Sequence, residues 1–101
     1  MGTQLLEFGI SAFRSGEYET AISCLLRSLE ALPDNWTGRF YLAMSYHLAG
    51  DPSKAETLFR YLHDYCPDEQ IRQKTQAALS IIGHASSAIT HSRHHAVQRV
   101  A

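Results

Sequence analysis

The chain has 101 residues, 45% of them hydrophobic and 19% charged, with a formal net charge of −1. That length suits one domain with a modest core, and that composition belongs to soluble globular proteins rather than disordered ones. A charge so close to neutral supplies no global field to draw the chain onto nucleic acid or an anionic membrane.

Apolar runs such as "YLAM" and "AAL" are far too short to span a bilayer. The stretch "MGTQLLEF" has no basic region ahead of an apolar segment and no Ser or Thr at residue 6. Neither a secretory signal nor myristoylation is expected, which leaves a cytoplasmic location as the expectation. Cys24 and Cys66 are the only cysteines and form no CxxC. They read either as a redox or metal-binding pair or as two small buried apolar side chains.

In chain order, Leu5, Phe8, Gly9 and Ala12 fall at i, i+3, i+4 and i+7 and predict a first helix with one apolar stripe. Gly16 accepts the left-handed conformation that ends it. Ala21, Leu25, Ser28, Leu29 and Leu32 predict a second helix, stopped by Pro33. Leu42, Ala43 and Tyr46 mark a third, closed by Gly50. Asp51 as N-cap and Pro52 at the first helical position start a fourth, with Ala55, Leu58, Phe59 and Leu62 as its stripe before Pro67. Asp34 and Asp68 each follow a proline and are expected to cap the next helix.

Residues 69–83 predict a fifth helix, apolar at Ile71, Ala78, Leu79 and Ile82 and polar at Gln70, Gln73, Lys74 and Gln76. Residues 84–101 change character, with no acidic residue, two arginines and four histidines. They read either as a weakly amphipathic helix or as a flexible tail.

The elements repeat. Gly16, Ala21, Pro33 and Asp34 return 34 residues later as Gly50, Ala55, Pro67 and Asp68. Gly9 and Ala43 stand at matching places, as do Ala21 and Ala55, and small residues there let paired helices approach closely. This pattern resembles the tetratricopeptide repeat (TPR), a 34-residue helix–turn–helix unit. Repeat one, 2–35, matches through Phe8, Gly9, Gly16, Tyr18, Ala21, Leu25 and Pro33. Repeat two, 36–69, matches through Trp36, Leu42, Ala43, Tyr46, Gly50, Ala55, Phe59 and Pro67. Departures are Ala12 where the family has tyrosine, Arg39 where Trp or Leu is common, and Ser28 for alanine.

The resemblance implies an all-α fold, a short right-handed superhelical solenoid of antiparallel helix pairs. Residues 1–83 would form the TPR-like domain, closed by a capping helix over 69–83, with 84–101 a His-rich C-terminal segment. Two repeats are few for independent stability, so a docked tail or self-association is expected to cover the remaining apolar surface.

The resemblance also implies a concave groove lined by the first helix of each repeat. Thr3, Leu6, Ile10, Phe13 and Arg14 fall there from repeat one, and Thr37, Phe40, Tyr41, Met44, His47 and Leu48 from repeat two. Chaperone-binding relatives carry lysine and asparagine in this groove to clamp a peptide carboxylate. Here Leu6, Ile10 and Tyr41 stand instead, so the clamp is missing. An apolar, aromatic, Met-containing groove suits an amphipathic segment anchored at i, i+3 and i+4, with Arg14 and His47 at the rim.

The expected function is therefore a protein–protein interaction module: an adaptor, assembly factor or chaperone-like protein. The alternative is a homo-oligomer whose groove is filled by its own copy or tail. His91 and His95 stand at a chelating i, i+4 spacing beside His94, but no carboxylate or thiolate lies near enough to complete a set. Neither a metal nor a cofactor is expected. No Gly-rich phosphate loop, GxSxG, HExxH or paired-carboxylate motif appears, so no enzyme is expected. Arg72, Lys74, Arg93 and Arg99 are too dispersed for a nucleic-acid footprint, and no membrane partner is expected.

Overall fold

A computed structural model describes the backbone over residues 2–98 and the side chains over residues 2–83. Five helices follow one another: α1 (Gly2–Arg14), α2 (Tyr18–Ala31), α3 (Trp36–Leu48), α4 (Pro52–Tyr65) and α5 (Glu69–Gln98). No strand occurs among the described residues. Each helix packs on the next, α3 also touches α1 and α5, and α2 and α4 do not meet among the described residues.

The same turn ends α1 and α3. Gly16 (φ 81°) and Gly50 (φ 93°) take the left-handed conformation. Glu17 N–H donates to Ala12 O and Gly16 N–H to Phe13 O, at 2.9 and 3.0 Å; Asp51 to Tyr46 and Gly50 to His47 repeat the pair at 2.9 and 3.2 Å. This is the Schellman arrangement, which satisfies the last carbonyls of a helix. Pro52 opens α4 and Asp51 Oδ1 accepts from Lys54 N–H at 3.2 Å, as the sequence predicts.

The cap of α3 differs from expectation. Asn35, not Asp34, accepts from Gly38 N–H at 2.7 Å, whereas Asp68 does cap α5 through Gln70 and Ile71 N–H at 2.9 and 3.2 Å. The reason is register. The second helices start 34 residues apart, at 18 and 52, but α5 starts at 69, only 33 residues after α3 at 36. The second inter-repeat turn is one residue shorter, so Asp68 corresponds to Asn35. Arg39 and Arg72 show the same offset. Each guanidinium donates to the carbonyl six residues upstream, Arg39 to Pro33 at 2.8 Å and Arg72 to Cys66 at 2.7 Å. Each arginine thus ties the start of one helix to the end of the one before.

The core forms two adjoining clusters. Ala21, Leu25 and Leu42 centre the first, and Ala43, Ala55, Phe59, Leu62, Cys66 and Ile82 the second; Tyr46 and Leu58 pack against both. Full burial of Leu25, Phe59 and Leu62 contributes about 2 kcal/mol each. Close packing of α1 on α2 depends on Gly9, where an added Cβ would lie 2.7 Å from Leu25 Cγ. Ser28 Oγ donates to Gly2 O at 2.8 Å and fixes the start of α1 on the same neighbour. Cys24 and Cys66 are unpaired and buried, Cys66 within the second cluster.

The α1 stripe is a second correction. Gly9 is buried, but Phe8 is 65% exposed and Leu5 only half-buried. Ala12 packs inward with Gly9 as predicted, and the rest of the inward flank is Leu6, Ile10 and Phe13 in place of Leu5 and Phe8. Apolar spacing marks both flanks, and α2 and α3 together cover only one of them.

α5 runs past Gly83 to Gln98, so of the two readings of the segment after residue 83 the backbone takes the helical one as far as Gln98. Ile71, Ala78, Leu79 and Ile82 face the second cluster, and Gln70, Gln73, Lys74 and Gln76 are exposed. Gln76 sits, at the 33-residue offset, where α3 has Ala43. Ala43 packs among α4 residues of the second cluster, but no helix follows α5 among the described residues, and a polar side chain there meets water. No described helix is long and apolar enough to cross a membrane.

Candidate functional site

The predicted groove residues come from α1 and α3, which lie side by side. Leu6, Ile10, Phe13 and Tyr41 are half-buried around the first cluster; Phe40 and Met44 are half-buried on the second. Arg14 and Thr37 are exposed, as are Thr3 and Leu48. The set therefore spans two adjoining packing environments, which share Tyr46 and Leu58.

Two contacts join α1 to α3, and a third links the two clusters within α3. A Cβ on Gly38 would stand 3.2 Å from Leu6 Cδ1, so Leu6 reaches across to the α3 backbone. Phe13 meets Tyr41 edge-on with ring centroids 5.4 Å apart, and Tyr41 meets Phe40 at 5.8 Å. With Tyr18 at 5.8 Å from Phe13 and Phe59 at 6.0 Å from Phe40, a row of rings runs from α2 through α1 and α3 to α4. These spacings and tilts match preferred aromatic pairing, worth about 1 kcal/mol per pair beyond area burial.

His47 is half-buried on α3, and its Nδ1 is buried without a hydrogen-bond partner. The residue predicted as a rim group is thus partly enclosed by its neighbours, with one ring nitrogen turned away from water. Chemically, this flank offers aromatic and aliphatic contact area, one adaptable thioether, the hydroxyls of Thr3 and Thr37, and two basic groups, Arg14 and His47.

Two features lie outside the predicted set. Arg39 lies over Trp36 at 5.8 Å and over Tyr61 at 4.9 Å, while Trp36 stacks on Tyr61 at 5.9 Å and Tyr61 meets Tyr65 at 4.9 Å. The i, i+3 pair Trp36/Arg39 and the i, i+4 pair Tyr61/Tyr65 carry this cluster in the sequence, but nothing local indicates that they meet. The second is a depression of about 550 Å³ on the other flank of α1, lined by Leu5, Phe8, Glu7 and Arg27 among others. It is larger than the recess of about 260 Å³ that touches the predicted residues Ile10 and Arg14.

No group of three or more His, Cys, Asp or Glu suited to a metal occurs among the described residues. The side chains of His84, His91, His94 and His95 lie outside the described residues. Comparison with protein-family models, curated proteins and solved structures returned no match.

Proposed function

We propose that the chain is a protein-interaction module of the tetratricopeptide type, a short right-handed superhelical solenoid acting as an adaptor, assembly factor or chaperone-like protein in the cytoplasm, without catalysis. Its ligand is an apolar or amphipathic helical segment, seated along α1 and α3. The observation that carries this reading is the half-buried row Leu6, Ile10, Phe13, Tyr41, Phe40 and Met44, bridged between the two helices by Phe13–Tyr41 packing. Its rings contribute contact area at low conformational cost, and Met44 adapts to the bound shape. A charged tail would find little here, since Arg14 and His47 are the only basic groups in the set.

The contact pattern supports an inward-facing odd row. The first helices α1, α3 and α5 touch in succession, whereas α2 and α4 do not, as a stack curved toward α1 and α3 requires. Selection against a library of amphipathic helical peptides, followed by backbone amide shift mapping, tests the reading. Perturbations concentrated on residues 3–14 and 37–48, abolished by Thr37→Glu with Arg14→Glu, are expected. Shifts centred on α2 and α4 would overturn it. These two positions are exposed, so their replacement leaves the core clusters intact.

A further inference from the structure

One structural position recurs three times, and it is open only once. Phe8 in α1 corresponds to Leu42 in α3 at the 34-residue offset, and Leu42 to Thr75 in α5 at the 33-residue offset. Their exposures are 65%, 2% and 0%. Leu42 is sealed by Ala21 and Leu25 of the preceding helix α2, and α5 rests in turn on its own preceding helix, α4. Arg39 and Arg72, which tie α3 and α5 to their predecessors, have Leu5 as their counterpart in α1. Leu5 and Phe8 therefore form, on α1, the seat that a helix occupies everywhere else in the chain.

We infer that this seat is closed by the α1 face of a second copy, forming a two-fold dimer distinct from the partner surface proposed above. Charge favours a copy of the same chain. Glu7 and Arg27 both line the depression around Phe8, and among the described residues neither enters an ion pair. A two-fold axis near Phe8 brings Glu7 of each chain to Arg27 of the other, which makes the patch complementary to itself. Phe8 is the aromatic anchor at the centre, with a charged rim, the arrangement in which a few side chains carry most of the binding energy.

Sedimentation equilibrium of the full chain across micromolar concentrations tests the assignment. The expected result is a reversible dimer, weakened about thirtyfold by Phe8→Glu with unchanged helicity. Glu7→Arg and Arg27→Glu are each expected to weaken the dimer, and the doubly exchanged chain to recover it. A monomer throughout the range would overturn the assignment. So would a dimer indifferent to Phe8→Glu, or one in which the double exchange fails to restore what the single exchanges lose. Thr37→Glu alone, on α3 and outside the residues lining the α1 depression, leaves the dimer unchanged here, so loss of peptide capture and loss of dimer are separately readable.

Discussion

Two buried residues decide how tightly this small core is specified. Thr75 is fully buried, and its Oγ1 has no hydrogen-bond partner. An unsatisfied buried hydroxyl costs about 1–3 kcal/mol, so Thr75→Val, which keeps the shape and removes the oxygen, is expected to raise stability by about 1 kcal/mol in urea unfolding. A loss of stability would mean that the hydroxyl has a partner. Gly9 works the other way. An added Cβ would press on Leu25 Cγ at 2.7 Å, and the rest of a valine has nowhere to go, so Gly9→Val is expected to cost about 1–3 kcal/mol in the same measurement. Ala43 fills the matching place on α3, which shows that the spacing between paired helices is set residue by residue. These positions were legible in the sequence as small residues at a repeat interval. The orphaned hydroxyl was not, because nothing local distinguishes Thr75 from an exposed threonine.

At the scale of the element, the helix ends carry most of what the sequence reveals. Gly16, Gly50, Asp51, Pro52 and Asp68 each perform the terminal role their chemistry suggests, because capping is a local bond between near neighbours. Asp34 does not. The start of α3 is displaced one residue relative to α5, and a fixed 34-residue comparison cannot reveal a turn shortened by one. Asn35→Ala is expected to cost about 1 kcal/mol in thermal unfolding, while Asp34→Ala stays within about 0.5 kcal/mol of the parent. The reverse ranking would contradict the observed cap. Apolar periodicity similarly locates α1 but not its buried face. Leu5/Phe8 and Leu6/Ile10/Phe13 both satisfy helical spacing, and only the presence of neighbours on one flank selects between them.

For the whole molecule, the succession of contacts rather than any single site defines what the chain can do. Each helix after α1 is secured by its predecessor, through buried apolar residues and, for α3 and α5, through an arginine reaching back to the preceding helix end. Two neighbouring first helices then present a shared aromatic row on one flank, while α1 keeps an unoccupied seat on the other. Phe59 sits between these levels: it is fully buried in the second cluster and meets Phe40 edge-on. Phe59→Ala is expected to cost about 3–5 kcal/mol, enough to unfold most of a domain this small, as read by loss of circular dichroism on mild heating. The candidate surface was only partly readable beforehand. Its membership follows from the repeat, but its half-buried state depends on Leu6 reaching Gly38 and Phe13 reaching Tyr41 across more than twenty-five residues of chain.

Binding along α1 and α3 depends on α1 lying against α3, so that side chains separated by one repeat meet. Nuclear Overhauser contacts between the Phe13 and Tyr41 rings, and between the Leu6 methyls and the Gly38 α-protons, measure this directly in solution. Both sets should be present in the folded chain at ring and methyl separations matching close packing. A protein with all five helices intact but neither set of contacts would contradict it.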